Sequence, residues 1–357
     1  MNSNINNDNI NEKISEAVKL KLAISAFDKK ESINMVSNKK SFFKTAAIAC
    51  CALFVTSGVA MATDLGEHLK NIFWPNSSEG VITAVQHGYV SNIKTDYQDS
   101  NGIAVKIDTV LMDDFNFIID FNIKLEEKYD INEFKNLYLK DLKVVDETGK
   151  IVFVTHESEE WKNYLGAYSY SINEKNENEL IVTFIASGNP EPFPKSNKLF
   201  VTFSQIECYT KYNVDNKIYD GNWNFEIDIP EEFANRETIN YNFKKCNDNK
   251  TTFSNAVLSN TGFRIELTTS TDKIDYDVIH SSQSDRRIFK EIYVKTNDGK
   301  IFGPTARSDG DGNLSLSSNN TIDFYQTFNL TKYDATDEIT VVLVTNKGEK
   351  ISVELER

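Results

Sequence analysis

The sequence has few of the residues that build metal sites, disulfide frameworks and most catalytic centres. Among its 357 residues are four Cys, four His and six Pro. No His has a Cys or an acidic residue at a recognised metal-ligand spacing. No Gly-rich phosphate loop, G-x-S-x-G elbow or H-E-x-x-H helix occurs. The sequence therefore predicts no catalytic residue, no cofactor and no metal, and we expect a protein that is not an enzyme.

The cysteines do not form a disulfide framework. Cys50 and Cys51 lie within an uncharged stretch, where they are most simply small apolar residues. This leaves Cys208 and Cys246 as the pair that could form a bridge. The sequence leaves open whether they are bridged.

Two acidic turns are candidates for chemistry. Asp113 and Asp114 are neighbours at the tip of a predicted hairpin, where adjacent side chains point apart and face water, so we expect a solvated turn rather than an acid/base pair. The run DGDGN at 309–313 begins like a calcium loop. Its twelfth position is Asn320 instead of the bidentate Glu that closes such a loop, so we interpret the run as a polar loop.

Acidic residues are in excess, and the excess lies on one side of the chain. Residues 1–44 hold eight Lys and five acidic residues, a net charge of +3, whereas the remainder has a net charge of −17. A surface that acidic repels nucleic acid. We therefore expect no nucleic-acid partner and a solvated exterior on the larger part.

An uncharged stretch separates the two parts. From Thr45 to Ala62 the chain carries no charge, and a helix of that length nearly crosses a hydrocarbon core of roughly 30 Å. We predict one transmembrane helix over 42–62. Lys residues precede it and acidic residues follow it. The positive-inside rule therefore places the N-terminus in the cytoplasm and the C-terminal region outside the cell membrane.

A cleaved signal peptide is the alternative interpretation of this stretch. It ends in Ala60-Met61-Ala62, which resembles a signal-peptidase site. However, more than forty residues with a helical pattern of their own precede it, which is far longer than an ordinary n-region. The pattern favours a retained span.

The segment before the span is predicted to be a short cytoplasmic unit. Residues 1–11 are almost all polar and cannot build a core, so we expect disorder there. Within the helical segment 12–40, apolar residues recur at helical spacing. An amphipathic helix without a core of its own implies a protein partner or the membrane surface. Its partner-binding face would consist of Ile14, Val18, Leu22 and Ile24.

Beyond the span, residues 63–88 are predicted to form juxtamembrane helices. The spacing of Leu65, Leu69, Ile72 and Phe73 predicts a helix over 64–73 that ends before a Trp-Pro pair. A second helix is predicted over 79–87, capped by Gly88.

From Ile103 onward, apolar residues alternate with polar ones, which is typical of strands. Many short strands separated by turns favour a mainly β fold, with two antiparallel, immunoglobulin-like β-sandwich domains in series at 89–231 and 236–357. Both halves contain a similar hairpin phrase, VVDETGKIVF at 144–153 and VKTNDGKIFG at 294–303.

One long phrase, residues 80–123, resembles a known family. It carries an A-V-x-x-G-Y-V-like helix end, an N-G-I-x-V-x-I-D strand and a D-D turn. In these features it resembles the ectodomain family catalogued as domain of unknown function 4179, found in Gram-positive bacteria. The region from about 238 onward is similar to the immunoglobulin-like domain that often follows. The motif residues here are Gly88, Tyr89, Asn101, Gly102, Asp108, Asp113 and Asp114.

The resemblance implies a cytoplasmic segment, one span in the lipid bilayer and an outside β region that meets an unknown envelope ligand. Many such proteins are described as anti-sigma factors or stress sensors, so the implied partner is a cytoplasmic sigma factor. This chain lacks the zinc-binding H-x-x-x-C-x-x-C motif, so its short helix alone would hold that partner. A membrane-anchored adhesive or cell-wall-binding module with no regulatory role is the alternative function.

Overall fold

The computed structural model describes residues 77–93, 95–155, 168–188, 192–209, 216–273, 289–305, 314–316 and 321–357. Over these residues the chain is mainly β, with several antiparallel sheets. The predicted partner-binding helix, the span and the run 309–313 lie outside them. No helix within the described ranges is long and apolar enough to cross a membrane.

The first half of the described chain forms two sheets over one core. Its strands are β1 (Ser91–Asn92), β2 (Gln98–Ser100), β3 (Ile103–Met112), β4 (Asn116–Leu125), β5 (Leu137–Lys140), β6 (Lys143–Asp146), β7 (Ile151–Val154), β8 (Tyr168–Asn176), β9 (Glu179–Ser187), β10 (Lys198–Cys208) and β11 (Lys217–Asp228). Sheet A has the order β1-β3-β4-β9-β8, with β2 also paired to β3. Sheet B has the order β11-β10-β6-β7, with β5 also paired to β10. Apolar residues of both sheets belong to a single buried cluster, the first core.

The second half repeats this plan with two sheets of its own. Its strands are β12 (Ile239–Asn240), β13 (Asn242–Cys246), β14 (Thr252–Leu258), β15 (Phe263–Ser270), β16 (Phe289–Thr296), β17 (Ile301–Phe302), β18 (Leu314–Leu316), β19 (Thr321–Phe328), β20 (Glu338–Thr345) and β21 (Lys350–Glu356). Sheet C has the order β12-β14-β15-β19-β18, and sheet D has the order β13-β21-β20-β16-β17. These sheets share a separate buried cluster, the second core.

Alternation along the strands decides which side chains form each core. In sheet A, Phe121 on β4 lies opposite Val182 on β9, and both are fully buried. Phe121 packs edge-to-face on Phe203 of β10, with ring centroids 5.8 Å apart. Phe203 in turn stacks on Trp223 of β11 at 4.9 Å. Because aromatic side chains bury a large apolar area, this chain of rings holds the two layers together.

Short helices flank the strands. Helix α1 (Glu79–Gln86) confirms the helix predicted at this position. At its N-terminus the Ser78 side chain accepts a hydrogen bond from the N–H of Val81 at 3.3 Å. At its C-terminus Gly88 has a positive φ of 93°. The apolar residues Val81, Ala84 and Val85 of α1 are part of the first core, and the juxtamembrane unit 63–88 stays a prediction. The others are a 3-10 helix (Ile131–Asn136), helix α2 (Glu231–Ala234) and a 3-10 turn (Thr271–Lys273).

The two cores meet near the predicted boundary, and the limits 89–231 and 236–357 stay predictions. The first core extends to Ala234, and the second begins at Tyr241. Cys208 is buried in the first core, Cys246 packs beside the second, and both are free thiols. The bridge that the sequence left open is therefore not formed.

Both predicted hairpin turns are confirmed. Gly149 lies between β6 and β7 with φ of 82°, and Gly299 lies between β16 and β17 with φ of 91°. Each Gly donates its N–H to the carbonyl three residues earlier, at 3.0 Å in both cases. Glycine adopts a positive φ at no steric cost, which explains its place in both phrases.

We predict that Gly299→Ala lowers the free energy of unfolding by about 1 kcal/mol, because a Cβ is disfavoured at positive φ. Crowding does not contribute, since nothing lies within 4 Å of the added Cβ. Gly303→Ala is the matched control, because it also has open space but no positive φ. The control should be neutral or slightly stabilising in urea denaturation. Equal losses in the two variants would contradict the backbone explanation.

Candidate functional site

Three motif residues, Tyr89, Asp113 and Asp114, come together where the two cores meet. The tip of the β3–β4 hairpin, residues 113–116, lies against the turn at 259–262 that joins β14 to β15. We call these two turns and the side chains around them the junction. Because each turn belongs to a different core, the junction controls how the cores are positioned.

The Asp113 carboxylate accepts five hydrogen bonds at the junction. Its Oδ1 accepts from the backbone N–H groups of Phe115 and Asn116, both at 2.8 Å. Its Oδ2 accepts from Ser259 Oγ at 2.6 Å and, in Thr261, from the backbone N–H at 2.8 Å and Oγ1 at 2.5 Å. Thr261 Oγ1 also accepts from Asn116 Nδ2 at 2.7 Å. One carboxylate oxygen therefore orders its own hairpin, and the other binds the second core.

The expectation that both acidic residues face water is wrong. Asp113 is 0 % exposed, and the Asp114 side chain is 14 % exposed. The two carboxylates contact different groups, as expected for neighbours in a turn, but both contact protein donors. A buried carboxylate is costly to desolvate unless hydrogen bonds replace its water. The second core supplies three of the five donors, and the local sequence around Asp113 gives no sign of these three.

Asp114 pairs with Arg236, which lies in the segment between the two cores. Arg236 Nε donates to Asp114 Oδ1 at 2.6 Å, and Nη1 donates to the Phe233 carbonyl at 2.9 Å. Nη2 donates to the Phe193 carbonyl. The Arg236 side chain is 1 % exposed. Removing either partner of such a buried pair leaves an uncompensated charge, so the pair ties the connecting segment to the hairpin tip.

A second buried arginine, from the second core, also crosses the junction. Arg264 on β15 donates from Nη2 to the Gly188 carbonyl at 2.6 Å and from Nε to Thr327 Oγ1 at 3.2 Å. Its guanidinium carbon lies 4.3 Å from the centroid of the Phe115 ring, a cation–π contact. Burial lowers the pKa of the Arg264 guanidinium. Arg264 thus joins the second core to the loop after β9 and to the hairpin tip.

Helix α1 is held against the same turn of the second core. The N–H of Gly80 donates to Asn329 Oδ1 at 3.2 Å. A Cβ at Gly80 would lie 2.2 Å from the Thr261 carbonyl oxygen, which no side chain tolerates. Only glycine permits this approach, so the first helix is fixed to loops of the second core.

Aromatic residues from both halves of the chain complete the junction. Tyr89 donates its hydroxyl to the Met112 carbonyl at 2.8 Å, and Tyr333 stacks on His87 with ring centroids 4.3 Å apart. Burial is the main cause that raises the pKa of Tyr89, and it also raises the pKa of Tyr333 to about 12. Both phenols therefore remain protonated at neutral pH.

Of the remaining motif residues, Gly88 adjoins the junction, and Asn101, Gly102 and Asp108 lie outside it. Asn101 and Gly102 form the turn between β2 and β3, with φ of 57° and 85°. Asn101 Nδ2 donates to the Asp220 carbonyl at 2.9 Å, which ties this turn to β11. Asp108 pairs with Lys106 at 2.6 Å, and Gly88 ends the turn after α1. The motif therefore consists of turn residues, one ion pair and the junction, rather than one site.

Sequence reasoning missed the residues that the second core contributes. Ser259 and Thr261 stand in an ordinary SNTG turn, Arg236 precedes β12, and Arg264 lies within β15. No local pattern distinguishes them, because Ser259 is 146 positions from Asp113. A pairing at that distance becomes visible only in the folded chain.

The described residues hold structural polar contacts rather than an evident reaction centre. A groove of about 260 Å³ on sheet D is lined by polar, charged and apolar residues, of which Lys244 and Glu338 pair with each other, Nζ to Oε1, at 2.5 Å. Over the described ranges, no group of three or more His, Cys, Asp or Glu is placed to hold a metal ion. At the junction the geometry supports rigid positioning of the two cores.

We predict that Asp113→Asn lowers the free energy of unfolding by about 3 kcal/mol. Both carboxylate oxygens accept from hydrogen-bond donors, so the amide nitrogen that replaces one of them would itself face donors. At least one buried donor would then lack an acceptor. Asp228→Asn is the matched control, because the Asp228 side chain is 90 % exposed. The control should change stability little when both are measured by urea denaturation. A junction variant as stable as this control would show that the carboxylate does not hold the cores.

Comparison with known proteins assigns no family to the chain. No family model matches it, and no curated protein matches it. Among solved structures, it is similar to the crystal structure of the conserved domain protein from Bacillus anthracis, with a TM-score of 0.42 and 11 % identity, over 75 % of this chain and 91 % of that one. The resemblance to domain of unknown function 4179 is therefore carried by the motif residues alone.

Proposed function

We propose that the chain is a single-pass membrane protein that senses the cell envelope with its outside β region and signals through its N-terminal helix. The observation that carries this proposal is the uncharged stretch from Thr45 to Ala62, with Lys before it and acidic residues after it. Its length suits a bilayer, and its flanks suit an N-terminus in the cytoplasm. By the family resemblance, the cytoplasmic partner is a sigma factor.

The junction supports a signalling role for the β region. Asp113, Arg236 and Arg264 are buried and paired across elements of both halves. Such contacts make the two cores one stiff body, so a ligand that displaces one core also displaces the other. An adhesive module has no need of this coupling. We also propose that each sheet pair is an immunoglobulin-like sandwich, which the shared core of each pair supports.

The membrane topology can be tested by protease protection. With different epitope tags at the two ends of the full chain, protease added to intact cells should remove the C-terminal tag and spare the N-terminal tag, because only the C-terminal region is outside. Lysed cells should lose both tags. Recovery of a mature protein that begins near Thr63 in the culture medium would instead show that the stretch is a cleaved signal.

The partner-binding face can be tested with charge substitutions. In the full chain, Val18→Asp with Leu22→Asp should release the regulon of the bound sigma factor, because two buried charges abolish helix docking. Lys13→Asp with Lys19→Asp places the same substituent on the polar side and is the matched control. Transcript profiling distinguishes the outcomes. If the first variant and a deletion of residues 1–35 both leave transcripts unchanged, the adhesive function replaces the regulatory one.

A further inference from the structure

The two halves of the described chain follow the same strand order. Sheet A has the order β1-β3-β4-β9-β8, and sheet C has the order β12-β14-β15-β19-β18. Sheets B and D share a second order, β11-β10-β6-β7 in one and β21-β20-β16-β17 in the other. Taken along the chain, the strands of the first half therefore have counterparts in the second half in the same succession. Among the described strands, β2, β5 and β13 are the additions that lack a counterpart.

The similar hairpin phrases lie on counterpart strands. VVDETGKIVF contains the turn between β6 and β7, and VKTNDGKIFG contains the turn between β16 and β17. The turn at Gly348, between β20 and β21, has the same positive φ and the same N–H to carbonyl bond. Turn chemistry and strand order alone therefore do not separate a repeat from two sandwiches of one common topology. The contacts at the junction do separate them.

The β3–β4 and β14–β15 hairpins agree in register at their tips. The last strand pair before the turn is Met112 with Phe117 in the first half and Leu258 with Phe263 in the second. All four side chains are fully buried. Each pair encloses a turn of the same length, and these two turns are the ones that meet at the junction.

The two turns also have the same hydrogen bonds. Asp113 and Ser259 are the first residues of their turns, so they are counterparts. The N–H of Asp113 donates to the Asn116 carbonyl at 2.9 Å, and the N–H of Ser259 donates to the Gly262 carbonyl at 2.8 Å. Each side chain accepts from the backbone N–H two positions later, at 2.8 Å for Asp113 and 3.3 Å for Ser259.

These two counterparts contact each other across the junction. Ser259 Oγ donates to Asp113 Oδ2 at 2.6 Å. A residue meets its own counterpart where a two-fold axis passes between two copies of a unit, because the axis exchanges the two positions. The contact therefore places a local pseudo-two-fold axis between the two turns.

The neighbouring contacts are reciprocal. Asn116 Nδ2 donates to Thr261 Oγ1 at 2.7 Å. Exchange of counterparts turns this pair into Gly262 with Phe115, and Phe115 Cδ2 lies 3.7 Å from the position that a Cβ would take at Gly262. In an interface with two-fold symmetry, residue i contacts j and residue j contacts i. The junction follows this rule on both sides of the Asp113–Ser259 contact.

The entry segments of the two halves cross over in the same way. Helix α1 precedes the first strand of one half, and helix α2 precedes the first strand of the other. Gly80 of α1 lies against the Thr261 carbonyl, in the turn of the second half. Arg236, which follows α2, pairs with Asp114, in the turn of the first half. Each half therefore sends its entry segment to the turn of the other.

We propose that the two halves are repeats of one sandwich unit, and that the junction is the surface through which one copy of this unit binds another about a pseudo-two-fold axis. In this chain the second copy is the other half, so the binding occurs within one molecule. This explains how Asp113 finds a donor 146 positions away, because that donor stands at its own position in the repeat. The proposal needs neither a membrane nor a sigma factor.

An exchange of counterparts tests the proposal in the full chain. Asp113→Ser alone should raise the equilibrium constant of unfolding about a hundredfold, because buried donors lose their acceptor. Adding Ser259→Asp should lower this constant again by about tenfold. The carboxylate at position 259 would accept from the N–H groups of Thr261 and Gly262 in its own turn and from the hydroxyl introduced at position 113. Urea denaturation measures both changes.

Asp113→Ser combined with Thr261→Asp is the matched control. Thr261 Oγ1 lies 2.5 Å from Asp113 Oδ2, as close as Ser259 Oγ at 2.6 Å, but Thr261 is not the counterpart of Asp113. A carboxylate at position 261 would not open the turn, so it should give no recovery. Recovery as large as that of the exchange would show that any nearby carboxylate suffices, and it would overturn the proposal.

An exchange variant that is less stable than Asp113→Ser, or that does not fold, would also overturn the proposal, because a carboxylate at the counterpart position would then lack donors. Hydrogen exchange gives a second readout at a single amide. In the exchange variant, the N–H of Gly262 should exchange about tenfold more slowly than in Asp113→Ser, since it would gain the bond that the N–H of Asn116 makes in the parent chain. An unchanged rate would contradict the equivalence of the two turns.

Discussion

The arrangement of the two cores depends on one buried carboxylate. Asp113 leaves water completely and is satisfied by two donors from its own hairpin and three from the other core. Neither half alone can complete this set. Closure of the junction removes water from this carboxylate, and the five hydrogen bonds offset that desolvation cost.

The charges around this carboxylate balance in number. Asp113 and Asp114 supply two negative charges, and Arg236 and Arg264 supply two positive ones. This balance stands out in a chain whose residues beyond 44 have a net charge of −17. Carbonyl groups and the Phe115 ring offset the desolvation cost of the two arginines, and N–H and O–H donors offset that of Asp113. These four side chains together carry no net charge inside an acidic protein.

Much of the fold could be predicted from the sequence, because it depends on local patterns. The alternation from Ile103, the cap at Ser78 and the turns at Gly149 and Gly299 all act over a few residues, and the structure confirms them. The junction could not be predicted in this way. Whether Asp113 is buried or faces water depends on its hydrogen bonds with Thr261, which lies 148 positions later in the sequence. Periodicity describes which face of a strand is apolar, but not which distant turn meets its end.

The close approach of Gly80 to the Thr261 carbonyl has a further consequence. It places the entry of the chain, the hairpin tip and the later loops of the second core at one point. Neither core can melt without exposing the donors, charges and helix that the other half covers. We therefore expect the two halves to unfold as a single cooperative unit, because opening at this point breaks the contacts of both.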